Sequence, residues 1–121
     1  MSHTKCFKSY VVFFLCDPHV AAKFVIKSGV YAYVGSCGKS CLKRVTRHLN
    51  RPVKKRWHVD FLNCAALYAV VLPLCEREVA KALASRCDYI PGFGSTDDPD
   101  SPSHLFRCQL DEVLQYVGLT V

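Results

Sequence analysis

Ser9 to Cys16 is a β-branched and aromatic run that Asp17-Pro18 stops, so the pattern predicts a first strand. Lys23 to Lys27 alternates apolar and polar positions, and Ser28-Gly29 turns the chain into a second alternating run, Val30 to Ser36. These two are expected to form a hairpin. Leu42, Val45 and Leu49 recur at helical spacing between Ser40 and Asn50, and Arg51-Pro52 ends that helix. Trp57 to Cys64 reads as a short second helix, with an alternation that also permits a strand. Leu67 to Leu72 is a near-continuous apolar run, the signature of a central strand, and Pro73 turns it. Glu76 to Ser85 follows as a helix whose apolar side is Val79, Ala80, Ala82 and Leu83.

Asp88 to Ser103 is rich in Gly, Pro, Ser and Asp and predicts an irregular loop; in a small domain a loop this long is often functional. His104 to Gln109 closes as a strand, and Asp111 to Val117 as a terminal helix with Asp111 as its cap. The order predicts an α+β fold: a small, mostly antiparallel sheet flanked by helices, in a single domain over residues 1–121.

Charge sharpens this picture. Lys and Arg number 16 against 10 Asp and Glu, a net +6, which favours an anionic partner such as nucleic acid. The excess is concentrated: Lys39, Lys43, Arg44, Arg47, Arg51, Lys54, Lys55 and Arg56 fall in one segment with His48 inside it and His58 beside it. A solvated basic face is the bland reading, and the clustering favours nucleic acid over it. No stretch approaches the roughly 20 apolar residues of a membrane span, and the run after the N-terminal lysines is too short for a secretory signal. The expectation is an intracellular protein with no membrane partner.

The eight cysteines can be disulfides, metal ligands or small core residues. Only Cys37 and Cys41 are closely spaced, with no second pair, so structural zinc is the weakest of the three. Cys64 and Cys75 lie in apolar sequence and read as core. Disulfides inside a cell point to a hyperthermophilic source.

On a helical wheel Leu42, Val45 and Leu49 share one side, and Lys43, Arg44, Arg47 and His48 share the other. Arg44 and His48 are one turn apart and can address one phosphate. Arginine suits that task because its planar fork stays charged and makes paired hydrogen bonds to phosphate oxygens. The alternative is an ordinary solvated helix face.

Tyr33-Val34-Gly35-Ser36, then Lys43-Arg44-Val45-Thr46-Arg47-His48, then Glu76-Arg77-Glu78 at a helix start, together resemble the GIY-YIG nuclease superfamily. Lys8-Ser9-Tyr10 stands where the family has Gly-Ile-Tyr, and Gly94-Ser95-Thr96-Asp97 occupies the region of its late asparagine. The segments GVYAYVGS, RHL, RWHVDFL, PGFGS and SHLF resemble a small, mainly archaeal branch, whose members occur alone or fused to endonuclease-III-type glycosylases. The resemblance implies a divalent-metal-dependent DNA endonuclease of repair or processing. Glu78, preferred over Glu76, would hold one Mg²⁺ or Mn²⁺. Arg44 would stabilise the transition state, Tyr10 or Tyr33 would orient or deprotonate the attacking water, and His48, with an ordinary pKa near working pH, is a second proton carrier.

Gly35, Ser36, His58, Asp60, Ser95 and His104 are expected to support the site: the glycine and serine at the strand end, and at Trp57-His58-Val59-Asp60 either a His58–Asp60 hydrogen bond shaping its wall or simply an amphipathic turn. A metal triad of His58, Asp60 and His104 is a further arrangement. Two other functions compete: a catalytically idle nucleic-acid-binding module that positions a repair glycosylase or nuclease, and a redox-responsive protein built on the cysteines.

Overall fold

The structure is a computed structural model and describes residues 6–50, 55, 57–96 and 98–119. β1 (Ser9–Cys16) and β4 (Gly29–Ser36) form its antiparallel centre, with Tyr10 opposite Gly35 and Val12 opposite Tyr33. On the outer side of β1 lies β5 (Cys64–Leu72), and beyond β4 come the short β7 (Leu105–Arg107) and β6 (Asp88–Tyr89). Every pairing among the described residues is antiparallel, and with three helices the fold is α+β.

Because side chains alternate along a strand, β1 and β4 feed two separate cores. Val11, Phe13, Ala32 and Val34 pack with Val79, Ala80 and Leu83 of α2 (Glu76–Ala84) and Val113 of α3 (Leu110–Tyr116). Tyr10, Val12, Phe14, Tyr31 and Tyr33 turn the other way. They meet Val45 of α1 (Cys41–Leu49), Val59 of a 3₁₀ turn (His58–Phe61), and Phe93 of the long loop. Both faces are covered, which is why Val11 to Phe14 reads as an unbroken apolar run.

Several expectations are corrected. The Lys23–Lys27 segment does not pair with the Val30–Ser36 strand. It forms β3 (Phe24–Ile26), which pairs with β2 (His19–Ala21) in a separate two-stranded ribbon, and β4 pairs with β1. Leu67–Leu72 belongs to an edge strand, not a central one, and Leu67, Tyr68 and Val71 are exposed. The register skips Leu67, since Phe13 faces Tyr68 and Phe14 faces Ala66. One bulged residue swaps the faces of the strand and hides its alternation. The Trp57–Cys64 segment is a single 3₁₀ turn followed by the start of β5. α3 is capped by Gln109 and Glu112 rather than by Asp111: the Glu112 side chain accepts from the Gln109 amide at 3.0 Å.

All eight cysteines are paired: Cys6–Cys75, Cys16–Cys64, Cys37–Cys41 and Cys87–Cys108. Cys64 is buried as expected but is also bridged, because β1 and β5 set it directly opposite Cys16. Cys75 is bridged just ahead of α2. No helix among the described residues is long and apolar enough to cross a membrane.

Candidate active site

One end of the sheet gathers the polar residues. Ser9 of β1 faces Ser36 of β4 on one side and Leu72 of β5 on the other, so β4 leaves the sheet toward α1 where β5 leaves it toward α2. A cleft of about 290 Å³ opens there, lined by Tyr10, Tyr33, Gly35, Ser36, Arg44, Trp57, Glu76, Arg77, Gly94, Asp98 and His104.

The tyrosines owe their places to the two-residue period of the strands and to one glycine. Tyr10 sits opposite Gly35, and a Cβ on Gly35 would fall inside the Tyr10 phenol. Gly35 has no unusual backbone conformation; it is required by this close approach. The Tyr10 ring therefore lies over the strand end, 6.4 Å between centroids from Tyr33. Gly94, at φ +69, brings the long loop against the Tyr33 ring from the other side.

α1 begins at Ser40, whose side chain accepts the Lys43 amide at 3.2 Å. Its inward face carries Cys41, Arg44, Val45 and His48, while Leu42 is 76% and Leu49 is 39% exposed. The predicted wheel is thus turned. Polar bonds to the sheet end outweigh burial of two leucines: Arg44 Nη1 donates to the Ser36 carbonyl at 2.8 Å, and His48 Nε2 lies 2.8 Å from the Tyr10 hydroxyl. The Cys37–Cys41 bridge anchors the same face.

Burial controls the titration of this cluster. It holds the Tyr10 and Tyr33 phenols protonated well above their ordinary range, opposed by the Arg44 charge. His48 is pushed down to about 4 by burial, against the pull of Asp60 and with help from Arg47 and Arg44. The expectation of an ordinary pKa for His48 is corrected: at neutral pH it is an uncharged imidazole, hydrogen-bonded through Nε2 to the Tyr10 hydroxyl. Burial likewise raises Glu76, with Asp98 adding to the rise and His104, Arg77 and Arg44 opposing it.

The preferred carboxylate changes. Glu78 is exposed and absent from the cleft wall, whereas Glu76 lines it. The wheel places Glu76 near the apolar side, and for that reason it faces inward: it stands one turn before Val79 and Ala80, over the strand ends. His58 pairs with the Gly94 amide at 3.0 Å rather than with Asp60, and burial and the Lys23 charge lower its pKa. Asp60 instead accepts from Arg47 at 2.6 Å and from the Trp57 amide at 2.9 Å, which fixes the Trp57 ring below Arg44 and Arg47. The proposed His58, Asp60 and His104 triad does not assemble; among the described residues no three His, Cys, Asp or Glu side chains are grouped to hold a metal.

Arg47 is thus engaged with Asp60, while Lys39, Lys43 and Lys55 are exposed. The candidate DNA contacts Arg51, Lys54 and Arg56 lie outside the described residues. Ser95 is off the cleft wall and accepts the Asp98 amide through its carbonyl at 3.0 Å. His104 does line the cleft, held between the Val34 carbonyl at 3.1 Å and the Asp98 carboxylate at 2.9 Å. Sequence reasoning missed Asp98, Trp57 and Arg77 as cleft residues. Nothing local singles out Asp98 in a loop with several aspartates.

A compact α+β domain with a buried Tyr-His pair, an arginine and two carboxylates at one sheet end is the class that fold and site define. The chain belongs to the family described as Domain of unknown function DUF123, which matches residues 10–119. No curated protein and no solved structure matches it.

Proposed function

We propose that the protein is a divalent-metal-dependent DNA endonuclease of the GIY-YIG type, acting in DNA repair or processing. The supporting observation is the convergence of Tyr10, Tyr33, Arg44 and Glu76 on one cleft, from four different stretches of chain. Arg44 presents its guanidinium at the cleft wall, oriented by the Ser36 carbonyl, where it can neutralise charge on a phosphodiester in transit. In the tautomer with Nε2 unprotonated, the Tyr10 hydroxyl takes a proton from the attacking water as its own proton passes to His48 Nε2, so neither a phenolate nor an imidazolium has to exist beforehand. Tyr33 walls the site and limits water.

Mg²⁺ or Mn²⁺ fits Glu76: its carboxylate is half-buried beside a second carboxylate, Asp98, a hard-oxygen environment whose mutual repulsion a cation relieves. When bound, such an ion supplies Lewis-acid stabilisation of phosphate charge. Exposed Lys39, Lys43 and Lys55 extend the positive surface along the duplex.

The test is nicking of supercoiled and branched DNA with Mg²⁺ or Mn²⁺. Arg44→Ala and Glu76→Gln should each lower the rate on the order of 10²-fold or more, while Glu78→Gln should cleave like the parent. Salt-sensitive binding without cleavage in any divalent metal would overturn the enzyme and leave the idle binding module.

A further inference from the structure

The mechanism above places the ion on Glu76 and uses the second carboxylate of the cleft, Asp98, only through its charge. Asp98 has a side chain only 7% exposed. Its Oδ2 is doubly engaged, accepting from the Ser101 hydroxyl at 2.5 Å and from His104 Nε2 at 2.9 Å. His104 is tied in turn to the Val34 carbonyl of β4, so the carboxylate is fixed to the sheet. Its Oδ1 is buried and has no hydrogen-bond partner.

The ion-pair partner of Oδ1 is Arg77, with Nε 3.9 Å away, beyond hydrogen-bonding distance, on a side chain that is 62% exposed. A solvated arginine at that separation offsets little of the cost of an unpaired buried carboxylate oxygen. One oxygen anchored by two donors and the other without a hydrogen-bond partner, on a residue that lines the cleft, is how proteins orient a metal-binding carboxylate. Mg²⁺ and Mn²⁺ are suited to such a place, since they take one or two carboxylates and fill the remaining positions with water and substrate phosphate. Glu76 lines the same cleft, and the two carboxylates feel each other's charge.

We propose that Asp98 is a second carboxylate of the cation site, offering Oδ1 to the ion that Glu76 holds. Ser101 and His104 are its positioning residues. The inference rests on the metal-dependent reading above and adds a ligand, Asp98, to it.

The experiment is calorimetric titration of the full chain with Mn²⁺ alone, in the absence of nucleic acid, with melting temperatures recorded before each titration. Asp98→Asn should keep the cation-free fold and weaken Mn²⁺ binding about 10- to 100-fold, as should Glu76→Gln, with Glu78→Gln unchanged. Ser101→Ala leaves Oδ1 in place and removes one anchor, so it should weaken Mn²⁺ about 10-fold and stands in if Asp98→Asn fails to fold. Parent-like Mn²⁺ affinity in folded Asp98→Asn or in Ser101→Ala, with Glu76→Gln impaired, would overturn the role of Asp98 and leave the nuclease reading intact. A parent chain that binds no Mn²⁺ would overturn the metal-dependent reading itself.

Discussion

The two faces of the β1–β4 pair are made by the same strands, yet one is hydrocarbon and the other is the floor of a cleft. Val11, Phe13, Ala32 and Val34 pack with apolar side chains of α2 and α3. One residue out of phase, Tyr10 and Tyr33 lie against His48, which in turn lies against Trp57, and Tyr33 meets the glycine loop. A period of two thus divides the work: one face supplies cohesion, and the other carries polar groups whose burial costs stability unless each is paired. On this division, substitutions on the α2 side should change stability and leave the cleft's chemistry alone, while those on the other side should change both.

The largest effect is expected from Phe13→Ala. Phe13 is fully buried on the α2 side, and its truncation should cost about 3–5 kcal/mol in denaturant unfolding. Mn²⁺ affinity of the remaining folded protein should stay at the parent value. A variant that lost cation binding while still folded would show that the faces are coupled and break the division.

Next comes pH. His48 titrates near 4 in the folded protein and near its ordinary 6.5 when unfolded. Between those values the unfolded chain binds the extra proton, so stability should rise with pH from 4 to 6.5 and be fully present above 6.5. The span corresponds to about 3 kcal/mol. Comparing parent and His48→Gln across this window isolates the contribution from that of the carboxylates, and equal slopes would remove His48 from the account.

Gly35→Ala ranks third. Added volume under the Tyr10 ring should cost roughly 1–3 kcal/mol and push the phenol off His48, so that the His48 proton resonances titrate closer to an ordinary imidazole. Unchanged His48 titration would mean that His48 stays as buried without the Tyr10 ring over it.

The same division governs what could be read from the chain. β1, the amphipathic helix α2 and the α+β class follow from periodicity, because hydrocarbon burial leaves a regular trace. α1 did not: its wheel suggests burial of Leu42 and Leu49, and the helix instead turns Arg44 and His48 inward to meet Ser36 and Tyr10. Those partners lie on another element, and a local pattern cannot show them. Glu76 is hidden for the same reason, since its inward face looks apolar until the strand ends beneath it are known. In β5 a single bulged residue, Leu67, erased the alternation that would have marked an edge. Tyr10, Tyr33 and Arg44 were legible through their motif, and Asp98 was not, because its distinction is an unpaired oxygen in the folded state.

The smallest effect tests whether the cleft end of the tyrosine face differs from its far end. Tyr10→Phe keeps the ring over Gly35 and removes only the hydroxyl, leaving buried His48 Nε2 without its partner, for a cost of about 1–2 kcal/mol. Tyr31 lies on the same face at the other end of β4, and its hydroxyl donates to the Lys27 carbonyl at 3.0 Å. Lys27 is exposed, so water can replace that donor, and Tyr31→Phe should cost only about 0.5 kcal/mol. Thermal unfolding of the two variants at pH 7.5, where His48 is neutral in both the folded and the unfolded chain, gives the comparison directly. Equal losses would mean that water reaches His48 as readily as it reaches Lys27. The cleft would then be too wet for the Tyr10–His48 bond to hold a proton path.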